Sequence, residues 1–221
     1  IVFLSTECPM SNSYLEPLGA LAKQYREQGV ALVLINPNYQ ETDAEIAAHT
    51  KEFHIEHSVL LDRRQAVADL LGAKATPEAF LLDSDRVLRY RGRIDDQYVS
   101  RLKRRDQATR NDLREAIDEV LAGKSVSRQE TEALGCPIAR AVNPKKTSSS
   151  VTFNRDVMRI LQDRCQTCHR PGQVAPFSLM NYHQAAKWAS DIDRVATDRI
   201  MPPWKPVHGF GEFRDEQQLT G

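Results

Sequence analysis

The sequence predicts an α/β domain followed by a smaller all-α domain. Strand-like and helix-like segments alternate from residue 1 to about 125, and a stretch with the composition of an exposed linker follows at 143–150. Two amphipathic helical segments dominate the rest of the chain, and 221 residues suffice for two small domains. We place the first domain at 1–128, the linker at 129–150 and the second domain at 151–221.

The first domain begins with a strand and a helix. Ile1–Ser5 is apolar and is followed by a turn, whereas Ser13–Gln28 carries apolar residues at helical spacing and ends at Gly29. The alternation continues with a buried strand at Val30–Ile35, a helix at Asp43–Phe53, a short strand at Ser58–Leu61 and a helix at Arg64–Leu71. This rhythm predicts a central sheet covered by helices.

Two more strands and one helix complete this domain. The strands are Ala79–Leu82 and Val87–Arg91, which the turn Asp83–Arg86 joins. A last helix extends from about Arg110 to Ala122, with apolar residues on its inner face.

The second domain is predicted to be helical. Asn154–Arg164 is amphipathic, and Tyr182–Ala196 forms another helix. Met201-Pro-Pro-Trp204 is a rigid loop, because proline is excluded from helix interiors.

The charge balance excludes several classes of partner. The 30 Lys and Arg residues match the 30 Asp and Glu residues, so no net charge attracts nucleic acid or an anionic membrane. The basic run Arg101–Arg105 is flanked by Asp95, Asp96 and Asp106, which indicates a solvated surface. No apolar run approaches the roughly 18 residues that a membrane span requires. We therefore expect neither a nucleic-acid partner nor a transmembrane segment.

The strongest motif lies in the second domain. Cys165, Cys168 and His169 form the C-x-x-C-H pattern of covalent c-type haem attachment, in which two thiols bind the haem vinyl groups and the histidine coordinates iron. A C-x-x-C pair is also found in zinc sites and redox dithiols, but zinc needs two further ligands and no second cysteine pair follows. We predict one covalent haem c. Since haem c is assembled outside the cytoplasm, we also predict a periplasmic or other extracytoplasmic location.

Two short motifs flank the predicted core of the first domain. Cys8-Pro-Met-Ser11 follows the first strand, and Thr76-Pro77 precedes a later core strand. On these motifs, residues 1–122 resemble the redoxin branch of the thioredoxin-like superfamily. The resemblance implies that Pro77 is a cis-proline whose loop faces the active cysteine, Cys8. The chain departs from the dithiol pattern at Ser11, where those proteins have a second cysteine.

Cys8 is the candidate nucleophile of this domain. A helix N-terminus would stabilise its thiolate, although the neighbouring Glu7 acts against that effect. Cys136, in Gly135-Cys-Pro-Ile138, is a candidate resolving thiol, but sequence alone does not place it within disulfide reach. The alternative is a degenerate scaffold in which Cys8 has no redox role.

A peroxidatic site is a further alternative. Ser5-x-x-Cys8-Pro9 is similar to the Thr/Ser-x-x-Cys of peroxiredoxins. However, the proline that this family places seven residues before its cysteine is Ile1 here, and the Thr76-Pro77 motif is unusual in that family. Peroxidase activity therefore ranks below disulfide exchange.

The second domain also has a family resemblance. Val151–Asp156 precedes the first helix, Arg170–Leu179 follows the haem motif, and a helix with Trp188 leads to the loop that begins at Met201. On these features, residues 151–221 resemble the small c-type cytochromes that are fused to redoxin domains. A C-terminal helix that usually closes this fold would begin where the chain ends, so we expect it to be missing or replaced by a partner's contact.

The cytochrome resemblance implies the iron ligands. His169 would be the proximal ligand and Met201 the distal one, and a Met thioether suits an electron carrier because it raises the reduction potential. The other candidates for the distal position are Met180, His183 and His208.

Together these features predict a periplasmic electron-transfer protein with one haem c beside a thioredoxin-like domain. Thiol–disulfide oxidoreductase or peroxiredoxin-like activity at Cys8, with electrons exchanged through the haem, is the alternative. We expect a redox partner protein, and either a larger redox complex or further C-terminal domains are compatible with the resemblance.

Overall fold

The structure is a computed structural model that describes residues 1–100, 103–138, 140, 150–203, 211 and 219. The Cα positions divide the chain into two compact units, 1–140 and 141–221.

The first unit is built on a mixed sheet. Its strands are β1 (Val2–Phe3), β2 (Leu34–Asn36), β3 (Val59–Leu61), β4 (Ala75–Thr76), β5 (Glu78–Leu82), β6 (Leu88–Gly92), β7 (Tyr98–Ser100), β8 (Lys103–Arg104) and β9 (Cys136–Pro137). The central sheet has the order β3-β2-β1-β5-β6, in which β1, β2 and β3 are parallel and β5 is antiparallel to both neighbours. β4 pairs with β9, and β7 pairs with β8.

The helices of this unit are α1 (Pro9–Tyr25), α2 (Asp43–Glu52), α3 (Ala66–Leu71) and α4 (Asp112–Leu121). α1 begins four residues earlier than predicted, because Cys8 caps it and Pro9 suits the first helical position. A 3₁₀ turn at Arg26–Gln28 follows α1, and Gly29 ends it in the left-handed conformation.

Helices cover both faces of the sheet. Along β1, Val2 belongs to a core cluster with α1 and α4, whereas the next residue, Phe3, belongs to a second cluster with α3. Ala79 and Phe80 of β5 alternate in the same way, as side chains in a strand must. The predicted α/β architecture is therefore confirmed for the first unit.

The segment 129–138 departs from the predicted linker. The Arg91 N–H donates to the Gln129 carbonyl at 2.9 Å, and the Thr131 N–H donates to the Arg91 carbonyl at 3.0 Å. Further on, Ile138 is buried in the cluster that contains Phe3. Arg91 lies tens of residues before this segment, so local periodicity in the sequence does not predict their pairing. Within the rest of the predicted linker, the structure describes only residues 140 and 150.

The second unit contains only helices and turns among residues 150–203. A π-helical turn at Phe153–Val157 leads into α5 (Met158–Arg164), and α6 (Tyr182–Lys187) and α7 (Ala189–Thr197) follow. The helix predicted over 182–196 is thus divided at Trp188, which is buried and caps both parts. The predicted absence of a C-terminal helix concerns residues that lie outside the described part of the chain.

Among the described residues, no helix is both long and apolar enough to cross a bilayer.

Candidate functional site

Cys8 lies where β1 leads into α1. Its Sγ accepts a hydrogen bond from the Ser11 N–H at 3.4 Å, as a helix N-cap side chain does. Its own N–H donates to the Ser5 carbonyl at 3.3 Å, which closes a turn between the strand and the helix. The Cys8 side chain is 0% exposed. The candidate nucleophile is thus fixed by hydrogen bonds at both its side chain and its backbone, and it is shielded from solvent.

The cis-proline loop contacts this cysteine. The Thr76–Pro77 peptide bond is cis, and the Cys8 thiol donates to the Thr76 carbonyl oxygen at 2.9 Å. The structure therefore places Pro77 in the loop that faces Cys8, in the arrangement that the redoxin resemblance implies.

Cys136 completes the site from a distant part of the chain. In the β4–β9 ladder Cys136 lies opposite Thr76, whose Oγ1 donates to the Cys136 carbonyl at 3.3 Å. Cys136 lies close enough to Cys8 that its thiol and its backbone N–H both lower the pKa of the Cys8 thiol. Cys136 is 2% exposed, and neither cysteine forms a disulfide. The structure thus brings the two thiols together, while the resolving role of Cys136 stays a prediction.

The surroundings of Cys8 favour its thiolate. Burial raises the pKa of the Cys8 thiol, but the proximity of Cys136 and the hydrogen bond from the Ser11 N–H outweigh burial and lower the pKa to about 6. Ser11, which replaces the second cysteine of a dithiol motif, therefore stabilises the charge on Cys8 instead of forming a disulfide with it.

Gly135 allows β9 to approach β4 closely. A Cβ at this position would lie 2.5 Å from the Thr76 carbonyl oxygen, so Gly135→Ala is expected to push β9 away from β4 and destabilise the first unit by about 1–3 kcal/mol. Denaturant unfolding of the full chain, followed by hydrogen exchange of peptides from the first unit, measures this loss.

Gly19→Ala is the matched control for this prediction. Gly19 lies within α1 and has no atom within 4 Å of its hypothetical Cβ, so alanine there should preserve or slightly raise stability. Equal stability of the Gly135→Ala and wild-type chains would contradict the close approach of β9.

A buried carboxylate that the sequence analysis did not identify lies beside the Cys8 turn. Glu41 is 3% exposed and follows β2 in the loop before α2. Its oxygens accept five hydrogen bonds, from Ser5 Oγ, Thr6 N, Thr6 Oγ1, Asn36 Nδ2 and Asn38 Nδ2. The segment Asn36-Pro-Asn-Tyr-Gln-Glu41 reads as an ordinary polar turn, and only the neighbouring asparagines hint at a shared acceptor.

The C-x-x-C-H motif of the second unit, Cys165 to His169, follows α5. Cys165 caps the C-terminus of α5, and its carbonyl accepts hydrogen bonds from the N–H groups of Cys168 at 3.1 Å and His169 at 2.9 Å. This tight turn keeps the three residues of the motif close together. His169 Nδ1 lies 3.2 Å from the Phe177 carbonyl oxygen. A carbonyl only accepts, so Nδ1 donates and Nε2 keeps a free lone pair.

Aromatic rings support His169. Its ring centroid is 4.6 Å from that of Phe177, which in turn stacks on Trp188 with centroids 4.1 Å apart. The orientation of the His169 ring is therefore fixed by packing as well as by its hydrogen bond.

The candidates for the distal iron ligand are spread over the second unit. Met201 follows α7, its N–H donates to the Val195 carbonyl at 3.0 Å, and its side chain is 37% exposed. Met180 is exposed just before α6, and His183 lies within α6. His208 lies outside the described residues. The assignment of Met201 as the distal ligand stays a prediction.

The described residues provide no further ligands for zinc binding at the C-x-x-C pair. Within 1–100, 103–138 and 150–203, no group of three or more His, Cys, Asp or Glu side chains is arranged to hold a metal ion. A structural zinc site would need four such ligands.

Comparison with known proteins gives a family match for the first part of the chain and similar solved structures. The profile of the AhpC/TSA family matches residues 1–91. A hypothetical protein from Sinorhizobium meliloti 1021 is 35% identical, with a TM-score of 0.56 over 64% of this chain and 79% of that one. An uncharacterized conserved protein from Geobacillus kaustophilus is 28% identical, with a TM-score of 0.56 over 65% of this chain and 76% of that one. No curated protein matches the chain.

Proposed function

Because residues 1–91 form a domain of the AhpC/TSA family, we propose that the first unit is a thiol–disulfide oxidoreductase in which Cys8 attacks and Cys136 resolves. The proximity of the two cysteines carries this proposal: Cys8 contacts the Thr76 carbonyl, and Thr76 lies opposite Cys136 in the β4–β9 ladder. The sequence favoured electron transfer and left thiol–disulfide exchange as the alternative, because Ser11 occupies the position of the second cysteine of a dithiol motif. The proposal now gives the first unit thiol–disulfide exchange as its function.

The reaction needs no reagent beyond a partner's disulfide. The Cys8 thiolate attacks one sulfur of that disulfide, which forms a mixed disulfide and releases the first partner thiolate to take up a proton. Cys136 then loses its proton and attacks the Cys8 sulfur, which releases the second partner thiolate. Two thiols of this chain are oxidised to a disulfide, and one partner disulfide is reduced to two thiols.

The environment of Ser5 favours disulfide exchange over peroxide reduction. The Ser5 hydroxyl would have to donate to a bound peroxide if Ser5-x-x-Cys8 were a peroxidatic motif. Its proton is instead donated to Glu41 Oε1 at 2.6 Å, within a buried network.

The pH dependence of Cys8 alkylation tests the proposal. The thiolate is the reactive form, so the rate should increase as the pH rises through about 6 and become constant above pH 7. The alkylation rate of a free thiol would instead have its midpoint at about pH 8.5 and would still rise above that pH. The rate follows the thiolate population of the folded state, so local opening changes the height of the curve but leaves its midpoint in place. Peptide mass mapping of the full chain measures alkylation at Cys8 alone.

Cys136→Ala is the informative variant in this experiment. It removes the thiol that hydrogen-bonds Cys8, so the midpoint should rise above 6. A wild-type midpoint near 8.5 that Cys136→Ala does not change would contradict an activated Cys8.

For the second unit we propose covalent attachment of haem c through Cys165 and Cys168, with His169 as the proximal ligand. The proposal is favoured by the free lone pair on His169 Nε2, which the hydrogen bond of Nδ1 to Phe177 leaves available. Bound haem would supply one-electron transfer. The protein would orient the imidazole through the Phe177 carbonyl, as outer hydrogen bonds commonly orient metal-binding histidines.

Acid–organic extraction tests the attachment. Haem should stay with the wild-type chain and pass into the organic phase when both Cys165 and Cys168 are replaced by alanine. The proposal would be contradicted if haem were released from the wild-type chain, or if metal analysis found zinc in place of haem.

Met201→Ala tests the distal ligand. Loss of the thioether should lower the reduction potential and open the iron to carbon monoxide. Met180→Ala is the matched control and should do neither. The reverse result would assign the distal position to Met180.

A location outside the cytoplasm is part of this proposal, because haem c attachment and stable disulfide chemistry are both favoured there. A redox partner protein would supply or accept the electrons of the Cys8–Cys136 pair.

A further inference from the structure

The buried Glu41 has no role in the reaction proposed above. Its carboxylate is 3% exposed, and the donors described above are all neutral hydroxyl, amide or backbone groups that lie 2.6–2.9 Å from its oxygens. Burying a charge is costly unless its hydrogen-bonding capacity is filled, so the protein must keep all these donors aligned at once.

The donors come from two separate segments. Asn36 and Asn38 lie at the end of β2 and just after it, whereas Ser5 and Thr6 form the turn that leads to Cys8. Glu41 therefore joins the turn before the nucleophile to the end of the neighbouring parallel strand.

This turn is fixed at both of its residues. Thr6 contacts Glu41 through its N–H at 2.9 Å and its hydroxyl at 2.6 Å, while its carbonyl accepts from Asn12 Nδ2 at 3.3 Å. The Ser5 carbonyl accepts the Cys8 N–H at 3.3 Å. Any shift of Ser5 or Thr6 is therefore passed directly to the backbone of Cys8.

We propose that Glu41 is a positioning residue for Cys8: its carboxylate holds the Ser5–Thr6 turn so that the Cys8 sulfur meets the Ser11 N–H and Cys136. Two charged or titratable side chains also lie near this region: the Arg63 guanidinium donates to the Glu41 carbonyl at 2.7 Å, and His49 Nε2 of α2 lies 2.8 Å from Asn12 Oδ1. Burial lowers the pKa of His49, although Glu41 opposes that effect.

Glu41→Gln in the full chain tests the proposal. The amide keeps the size of the side chain but offers one acceptor oxygen, so at most three of the five donors keep an acceptor. The turn should then relax and weaken the contacts that stabilise the Cys8 thiolate. We expect the midpoint of Cys8 alkylation to rise by about one pH unit, which lowers the thiolate fraction at pH 5 about tenfold.

Asp96→Asn is the matched control. Asp96 is another buried carboxylate that fixes a loop, through Thr109, Arg110 and Arg105, and none of these residues hydrogen-bonds Cys8. Both variants should lose stability, but only Glu41→Gln should move the alkylation midpoint. If Glu41→Gln leaves that midpoint at the wild-type value, or if Asp96→Asn moves it equally, Glu41 has no positioning role.

Thr6→Val keeps the test decisive if Glu41→Gln does not fold. It removes one donor to Glu41 while the Thr6 N–H remains, and it should raise the midpoint in the same direction by a smaller amount. An unchanged midpoint in Thr6→Val would count against the proposal.

The inference rests on the proposed thiol chemistry only for the importance of Cys8. A wild-type alkylation midpoint near that of a free thiol contradicts the proposed function. A low wild-type midpoint that Glu41→Gln does not change contradicts the positioning role alone.

Discussion

Cys8→Ser in the full chain is expected to abolish disulfide reduction, with a loss of more than about a thousandfold, because a serine hydroxyl does not ionise at neutral pH as a thiol does. The measurement is single-turnover reduction of a small aromatic disulfide whose released thiolate absorbs visible light. The buried Cys8 meets that probe only after local opening, so the wild-type and variant chains are compared at equal concentration and pH.

Cys136→Ser separates the two proposed thiol roles. Cys8 should still attack, but the mixed disulfide should accumulate, because no thiol is left to displace the second half of the probe. Intact mass would then show one attached half of the disulfide. Replacing Cys165 and Cys168 together by alanine should leave the reaction unchanged. If that double variant is inactive and Cys8→Ser is active, the redox thiols belong to the second unit instead.

Oxidation of the Cys8–Cys136 pair is expected to raise the free energy of unfolding of the first unit by about 4 kcal/mol. The disulfide would close a loop of roughly 130 residues, and cross-links stabilise most when they restrict a long loop of the unfolded chain. The β4–β9 ladder already holds Cys136 opposite Thr76, whose carbonyl contacts Cys8, so the two cysteines are neighbours before the disulfide closes.

Unfolding in oxidising and reducing buffers measures this difference. Both tryptophans, Trp188 and Trp204, lie in the second unit, so hydrogen exchange of peptides from the first unit is the suitable probe. Cys136→Ser is the control and should unfold identically in the two buffers. A wild-type chain that also shows no difference would contradict the Cys8–Cys136 disulfide.

Local signals in the sequence were sufficient for the helices and central strands of the first unit. Gly29 and Gly72 mark helix ends, and both adopt the left-handed conformation that glycine accommodates. Cys8 was placed at a helix N-terminus because a strand, a Cys-Pro pair and a periodic apolar segment follow one another there. Each of these signals lies within a few residues of the element that it predicts.

The remainder of the site depends on pairings that leave no periodic trace. β4 and β9 are two residues long and lie far apart in sequence, so neither shows an alternating pattern. Gly135, directly before Cys136, was the available hint, because a glycine often marks close approach of two backbones. Glu41 could not be identified at all, since a carboxylate in a polar turn is normally solvated and only its tertiary donors show that it is buried.

The packing of Ile138 decides where the first unit can be separated from the rest of the chain. A fragment that stops at residue 128 would lack β9 and the Ile138 side chain, which covers apolar residues such as Phe3 and Phe80. That fragment would expose an apolar surface and contain Cys8 as its sole thiol. For gene fusion or for exchange between proteins, the first unit should therefore be taken as residues 1–140, because a fragment that stops at residue 128 would expose apolar side chains and lack Cys136.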